Sequence, residues 1–359
     1  MLRAGLIGLP TSGKTTLFEL LTSVRDAPRT HGKTEANVGV SRVPDDRLDQ
    51  LTAMFKPKKR VPATVEFADM AAGRSDAKSL VDVVAYRNAD ALLHVVRAFR
   101  DPAVPHPHAT VDPARDARLV EDELILADLA SVERRLERLE KDLKKNPSAE
   151  LKAEQDLLTR GLATLESGRA LRTMGLTADD VRRLRGFQFL SAKPLLIVVN
   201  LDEGDVTHAG HAAAHVGLDA FAADVRAGVV GVCAKIELEI AQLDPADAAA
   251  FMADLGLTQS GLDRVIRAAY DLLGYMSFFT VGEDECRAWS IPRETRAQQA
   301  AGAIHSDIER GFIRAEVVPW DTLIARGSLA ACRDRGELRL EGKEYIVADG
   351  DTINFRHAT

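Results

Sequence analysis

The chain has 359 residues, 46% of them apolar and 28% charged, with a formal net charge of −7. That length exceeds what one hydrophobic core usually organises, so two or three domains are expected. The acidic balance excludes wholesale wrapping of nucleic acid but permits a local basic patch. Cys233, Cys286 and Cys332 are widely spaced and odd in number, which fits a reducing compartment and neither a disulfide framework nor a zinc site. No charged leader precedes the first apolar run, and no run approaches the ~20 residues of a membrane span, so the expected location is cytoplasmic, with no membrane partner and no specific DNA partner.

Leu2, Ala4, Leu6 and Ile7 form a short apolar run of strand character, and Leu17, Phe18, Leu20 and Leu21 recur at helical spacing. Between them lies Gly8-Leu-Pro-Thr-Ser-Gly-Lys-Thr-Thr16, which fits G-x-x-x-x-G-K-[ST] in its proper strand–loop–helix context. Backbone N–H groups of such a loop wrap a triphosphate at the positive end of the following helix. The predicted phosphate-site residues are Thr11, Ser12, Gly13, Lys14, Thr15 and Thr16. Lys14 reaches the β and γ phosphates and is the catalytic candidate, and the Thr15 hydroxyl ligates Mg²⁺.

Residues 26 to 33 are polar and rich in turn formers, and Thr34 is the candidate for a first-switch threonine closing over Mg²⁺, with a surface-loop threonine as the competing reading. A helix begins at Pro44-Asp-Asp-Arg-Leu48, with carboxylates at its N-terminus. Lys56-Pro-Lys-Lys-Arg60 reads first as a solvated turn, with nucleic-acid contact as the lesser option. Residues 63 to 69 alternate as a strand ending in Asp69, placed to ligate Mg²⁺ directly or through water. His94, inside the apolar run 91 to 96, reads as a core or strand-end histidine rather than a base.

From about Arg115 the period changes: Ile125, Leu129, Val132, Leu136, Leu139 and Leu143 form a heptad seam, and Leu151, Leu158, Leu162 and Leu165 a second one. Asn146-Pro147 reads as the N-cap and first position of the second helix. The result is an antiparallel coiled-coil arm. Arg134, Arg138, Lys141 and Lys145 share one face of its first helix, either as a solvated surface with a Glu137–Lys141 pair or as a stripe for RNA or a partner.

The apolar run 193 to 199 is a central parallel strand delivering Asn200-Leu-Asp-Glu203, and residues 229 to 232 deliver Cys233-Ala-Lys235; both strand ends belong at the base-recognition loops. Residues 244 to about 275 read as helical, with a stop at Leu255-Gly-Leu. From Ser277 short strands and a helix over 295 to 309 make a small α+β module. His305, Asp307 and Arg310 read there as a surface or hydrogen-bonded group rather than a relay.

Four features coincide in order: the Gly8-Leu-Pro start of the P-loop, the helical arm inserted in the nucleotide domain, Asn-x-x-Glu at 200–203 in place of Asn-Lys-x-Asp, and the C-terminal module. Together they resemble the YchF/Obg-like ATPases over essentially the whole chain. The residues from Gln298 to Glu316 carry most of the likeness in the C-terminal part, supported by Leu340-Glu-Gly-Lys-Glu-Tyr-Ile-Val-Ala-Asp-Gly-Asp351. The resemblance implies an α/β P-loop NTPase (Ras-like) domain with a mainly parallel sheet over 1–114 and 188–276, an inserted coiled-coil arm over 115–187, and a β-grasp (TGS) domain over 277–359.

The resemblance also implies ATP rather than GTP, carried by Asn200, Leu201 and Glu203 with Cys233, Ala234 and Lys235 as the second base loop. It implies slow hydrolysis and a role linked to the ribosome or ribosomal RNA. Three departures stand against it. Thr11 replaces an asparagine that can help hold potassium, so potassium stimulation does not follow here. In Asp69-Met-Ala-Ala-Gly73 the glycine usual after the aspartate is either replaced by Ala72 or displaced to Gly73, and the glycine-rich stretch after it is shortened. With no gap, Lys33 rather than Thr34 aligns with the switch threonine. A GTPase of the same fold and a nucleotide-binding interaction module with negligible turnover remain as alternatives; a small-molecule kinase is disfavoured by the lack of an acceptor pocket or lid.

Overall fold

The computed structural model describes residues 3–23, 36–70, 83–224 and 226–358. Thr34 and the second-switch residues Ala72 and Gly73 lie outside them. The first half of the chain supplies β1 (Arg3–Ile7), α1 (Lys14–Ser23), β2 (Ala36–Arg42), α2 (Asp46–Phe55), β3 (Lys59–Val61), β4 (Thr64–Met70) and β5 (Ala91–Arg97). Two long helices follow, α3 (Pro113–Lys145) and α4 (Ala149–Glu166), and then β6 (Leu195–Asn200) and β7 (Ala227–Val232).

Six of these strands form one sheet in the order β2-β4-β1-β5-β6-β7. β1 pairs in parallel with β4 on one side and β5 on the other, and β5–β6 and β6–β7 are also parallel. Every residue of β5 and β6 is buried, and all but His94, Arg97 and Asn200 are apolar, as expected of strands covered on both faces. Because the connections leave β1 in opposite directions, its carboxyl end is the switch point of the sheet, where α/β folds bind ligands. The P-loop follows β1. His94 lies fully buried in β5, and burial, reinforced by the nearby Lys14 and Arg172, pushes its pKa down to about 3, so it is a neutral core residue.

The helix pair α3–α4 is antiparallel, and its seam buries Ile125, Val132, Leu139, Leu157, Leu158 and Leu165, with Leu129, Leu136, Leu151 and Leu162 packed beside them. Asp112 caps α3 through the Arg115 N–H at 3.0 Å. The start of α4 differs from the sequence expectation: Ser148 is its N-cap, accepting from the Leu151 N–H at 3.2 Å, while Asn146 closes α3 and Pro147 stands between the helices. A serine one residue past the proline offers its hydroxyl to an orphan amide, so the helix begins there. At the base of the arm, buried Asp128 accepts from the main-chain N–H groups of Leu190 and Ser191 and from the Ser191 hydroxyl, and Glu121 pairs with buried Arg172. These bonds tie the chain returning from the arm to α3. The exposed Arg134, Arg138, Lys141 and Lys145 have no ion pair among the described residues, so the Glu137–Lys141 bridge does not form.

The chain divides into two compact units: residues 1–41 with 66–272, and residues 42–65 with 273–359. Segment 42–65 therefore groups with the C-terminal residues rather than with the sequence around it. The physical reason is strand pairing. The Lys58 and Lys59 N–H groups donate to the carbonyls of Glu283 and Asp284 at 3.0 Å each, and β3 runs parallel to β9 (Glu285–Pro292). Lys58 pairs with Asp284, Lys59 with Glu285 and Arg60 with Asp49, which neutralises most of the basic cluster at 56–60.

The second unit's sheet adds β8 (Tyr275–Thr280), β10 (Phe312–Pro319), β11 (Arg339–Glu341) and β12 (Asp351–His357) in the order β11-β10-β12-β8-β9-β3. Helix Ala297–Ile304 lies across it with Ala297, Ala300 and Ala301 buried, the β-grasp arrangement. The expected helix over 295–309 breaks at His305, whose ring nitrogen accepts the Asp307 N–H at 3.2 Å and caps helix Ser306–Arg310; Arg310 pairs with Asp307. That trio is an exposed helix cap. The helical region 244–275 likewise resolves into Pro245–Asp254 and Gly261–Leu272, and short helices at Trp320–Arg326 and Leu329–Asp334 were not expected.

Candidate nucleotide-binding site

The P-loop is shaped by two glycines that no other residue could replace. Gly8 has φ 150°, and a Cβ there would sit 2.4 Å from the Val95 carbonyl oxygen; Gly13 has φ 92°, and a Cβ there would sit 2.4 Å from the Asn200 amide nitrogen. Close backbone approach fixes both. Lys14 folds back over the loop, its Nζ donating to the carbonyls of Gly8 and Leu9 at 2.8 Å each. Burial lowers the Lys14 pKa, opposed by Asp69.

Asp69, at the end of β4, is buried, and its Oδ2 accepts from the Thr15 hydroxyl at 3.4 Å. Burial raises the Asp69 pKa, and the Lys14 ammonium and the Thr15 bond pull it back. The Ser12 hydroxyl is buried with no hydrogen-bond partner among the described residues. A buried carboxylate beside a threonine hydroxyl, within a loop that keeps an orphaned hydroxyl, is a donor set suited to a hard cation shared with phosphate oxygens.

The two base-recognition loops meet at Asn200. Its Nδ2 donates to the Ser12 carbonyl at 3.2 Å, and its Oδ1 accepts from the Ala234 N–H at 3.1 Å. The Leu201 N–H donates to the Val232 carbonyl at 2.7 Å, holding the ends of β6 and β7 together. Glu203 and Lys235 form an ion pair, which raises the Lys235 pKa. Cys233 is buried and its thiol pKa is raised by burial, so it is a neutral wall residue. Beneath these loops is a cavity of about 440 Å³, running from Gly13 and Thr16 past Asn200, Leu201 and Glu203 to Cys233, Ala234 and Lys235. That volume suits a nucleoside.

Over 362 aligned residues the chain is 41% identical to the "Ribosome-binding ATPase YchF" of Bacillus subtilis (strain 168), with 99% of each chain covered. The chain belongs to the YchF family. The chain is 34% identical over 367 residues to the "Obg-like ATPase 1" of Oryza sativa subsp. japonica, covering 99% of this chain and 92% of that one. The solved "Structure of the Schizosaccharomyces pombe YchF GTPase" superposes with a TM-score of 0.84 at 29% identity, covering 99% of this chain and 97% of that one. The family YchF-GTPase_C, described as "Protein of unknown function (DUF933)", matches residues 275–358.

Thus the structure brings together, at one YchF-family site, each phosphate, base and metal residue expected from the sequence except Thr34, which lies outside the described residues. It adds a wall the sequence reading missed: Phe99, Arg100, Pro102 and Leu238 also line the cavity, and the Arg100 N–H donates to Asp202 at 3.0 Å. The signal was faint, a proline-rich stretch directly after a buried strand. The same stretch packs on the P-loop. The Pro105 carbonyl lies 3.3 Å from the Thr11 hydroxyl, and buried Arg97 stacks on Phe99 while donating to the Val104 carbonyl at 2.8 Å. His106 is held by Asp116 at 2.8 Å.

Thr11 itself has φ 60°, a left-handed conformation that a β-branched residue adopts only under strain. Asparagine enters that region far more readily. Thr11→Asn should therefore stabilise the protein by about 0.5–1 kcal/mol, a rise of roughly 1–3 °C in Tm. Thermal unfolding followed by circular dichroism checks this, and a fall in Tm would contradict the strain.

Proposed function

We propose that this protein is an ATP-binding, slowly hydrolysing P-loop switch that engages the ribosome. The observation that carries the reading is the continuous site from Lys14, Thr15 and Asp69 through Asn200 to Glu203 and Lys235, in a chain whose relatives are named ribosome-binding ATPases. The P-loop N–H groups bind the phosphates, and the Lys14 ammonium leaves its two carbonyls to neutralise charge developing on the transferred phosphoryl group. Thr15 and Asp69 hold Mg²⁺, with Thr34 as a further candidate ligand. A divalent cation held there would supply neutralisation of phosphate charge, while Lys14 and the loop N–H groups hold the phosphates for in-line attack by water.

Base choice rests on Asn200, Leu201 and Glu203, with Cys233, Ala234, Lys235 and the Phe99 wall around the base. Glu203 is one methylene longer than the aspartate that guanine recognition uses at this slot, and Leu201 replaces the lysine that would pack on the base; this favours adenine. A GTPase of the same fold is the second reading, favoured by the naming of the fission-yeast relative. For the ribosome, the exposed and unpaired Arg134, Arg138, Lys141 and Lys145 offer phosphate contacts along one face of α3, and the C-terminal TGS-like unit a second surface. No described helix is long and apolar enough to cross a membrane.

Single-turnover hydrolysis on the purified protein tests the enzymatic reading. Mg²⁺-dependent conversion of ATP is expected, and Lys14→Ala should abolish it. Turnover that persists unchanged in Lys14→Ala, or no turnover at all, would replace the enzyme with a binding module.

Asp69 must be ionised to hold the metal, and burial holds its pKa above the ordinary carboxylate value. Mg²⁺-supported nucleotide affinity should therefore weaken on acidification at a pH above the usual value of about 3.9. Asp69→Asn should lower that affinity roughly tenfold or more and remove the acid limb. Titrating a fluorescent nucleotide across pH reads both effects, and an acid limb unchanged in Asp69→Asn would exclude Asp69 as its source.

A further inference from the structure

A second cavity, of about 450 Å³, lies at the base of the helical arm. Its walls come from the segments just before β5, β6 and β7 and from the short helix Ala178–Leu184. Since the nucleotide loops leave the carboxyl ends of those parallel strands, this cavity sits at the opposite end of the sheet.

Its charge is one-sided. Arg87, Arg185, Lys193 and Arg226 line it against a single carboxylate, Asp90, which already accepts the Arg3 main-chain N–H at 2.9 Å. Lys193 gives two of its protons to the carbonyls of Arg87 and Ala89, at 2.9 and 2.5 Å, leaving a third. Arg185 and Arg226 are exposed, and among the described residues neither has a carboxylate partner. Burial lowers the pKa of Lys193, while the Asp90 and Asp128 carboxylates oppose that shift. The basic cluster at 56–60, by contrast, meets acids: Lys58, Lys59 and Arg60 each have a carboxylate partner. The facing wall is apolar, with Phe189 buried and Val181 43% exposed.

We propose that this cavity binds a small organic phosphate, its phosphate held by Arg185, Lys193 and Arg226 and its apolar part set against Val181 and Phe189. An anion with several acceptor oxygens satisfies the free donors. The volume is that of a site for a compact molecule, not of a groove for a nucleic-acid helix. The inference does not depend on which nucleotide the P-loop takes.

The test uses the full chain with its P-loop saturated by a non-hydrolysable ATP analogue and Mg²⁺, so that the known anion site is filled. Phenyl phosphate and inorganic phosphate are then titrated by ligand-observed NMR. Saturable binding of phenyl phosphate, tighter than that of inorganic phosphate, is expected. The double variant Arg185→Glu/Arg226→Glu should weaken it at least about tenfold while leaving affinity for the analogue unchanged. If charge reversal unfolds the protein, Arg185→Gln/Arg226→Gln makes the same comparison. Absence of saturable binding, equal affinity for the two phosphates, or affinity unmoved in the variant would overturn the proposal. So would a variant that loses affinity for an RNA oligonucleotide but not for phenyl phosphate.

Discussion

The nucleotide site depends on one amide. Asn200, at the carboxyl end of β6, donates to the P-loop at Ser12 and accepts from the second base loop at Ala234. It is buried, so neither bond is exchanged for water, and removing either partner would strand a buried polar group at a cost of about 1–3 kcal/mol. The contact also explains Gly13: the asparagine nitrogen occupies the space a Cβ would need. Asn200 thereby joins the loop after β1 to the loops after β6 and β7.

Around that joint the charges are arranged for a polyanion. Lys14 rests on two carbonyls, and Asp69 rests on Thr15 with its pKa held up by burial. Each group keeps a weak partner in the free protein that a stronger one can displace. A cation between Thr15 and Asp69 and phosphates under Lys14 would satisfy both, and where the Asp69 carboxyl is still protonated such binding would release its proton.

Much of this was legible in the sequence because the signals are local. The P-loop is a contiguous string between a strand and a helix, and the arm's seam is a periodicity that the buried Ile125, Val132 and Leu139 repeat in the structure. Asn200 and Lys235 could be placed because each follows directly on an apolar strand. What escaped depends on distant contacts. Nothing near Phe99 or Leu238 says that they share a cavity with Gly13. Segment 42–65 groups with the C-terminal unit because Lys58 and Lys59 meet Glu283 and Asp284, more than two hundred positions on, and no local propensity encodes that pairing. The cap of α4 was misplaced by two residues because Asn146 and Ser148 are both good caps, and the geometry around Pro147 decided between them.

Thr11 is the point where local preference and structure conflict most openly: a β-branched residue in a left-handed conformation, held by the stretch from Phe99 to Pro105. That stretch reaches from the phosphate loop to the base wall, so the strained loop and the base pocket share one support. On the proposed function, nucleotide choice lies in the base pocket rather than in the phosphate loop. Equilibrium dissociation constants for ATP and GTP, measured by calorimetry with Mg²⁺ on the wild-type protein and on Glu203→Asp, test this most directly. Tighter ATP binding in the wild type, with the preference narrowed in the variant, is the predicted result; tighter GTP binding by the wild type would contradict it.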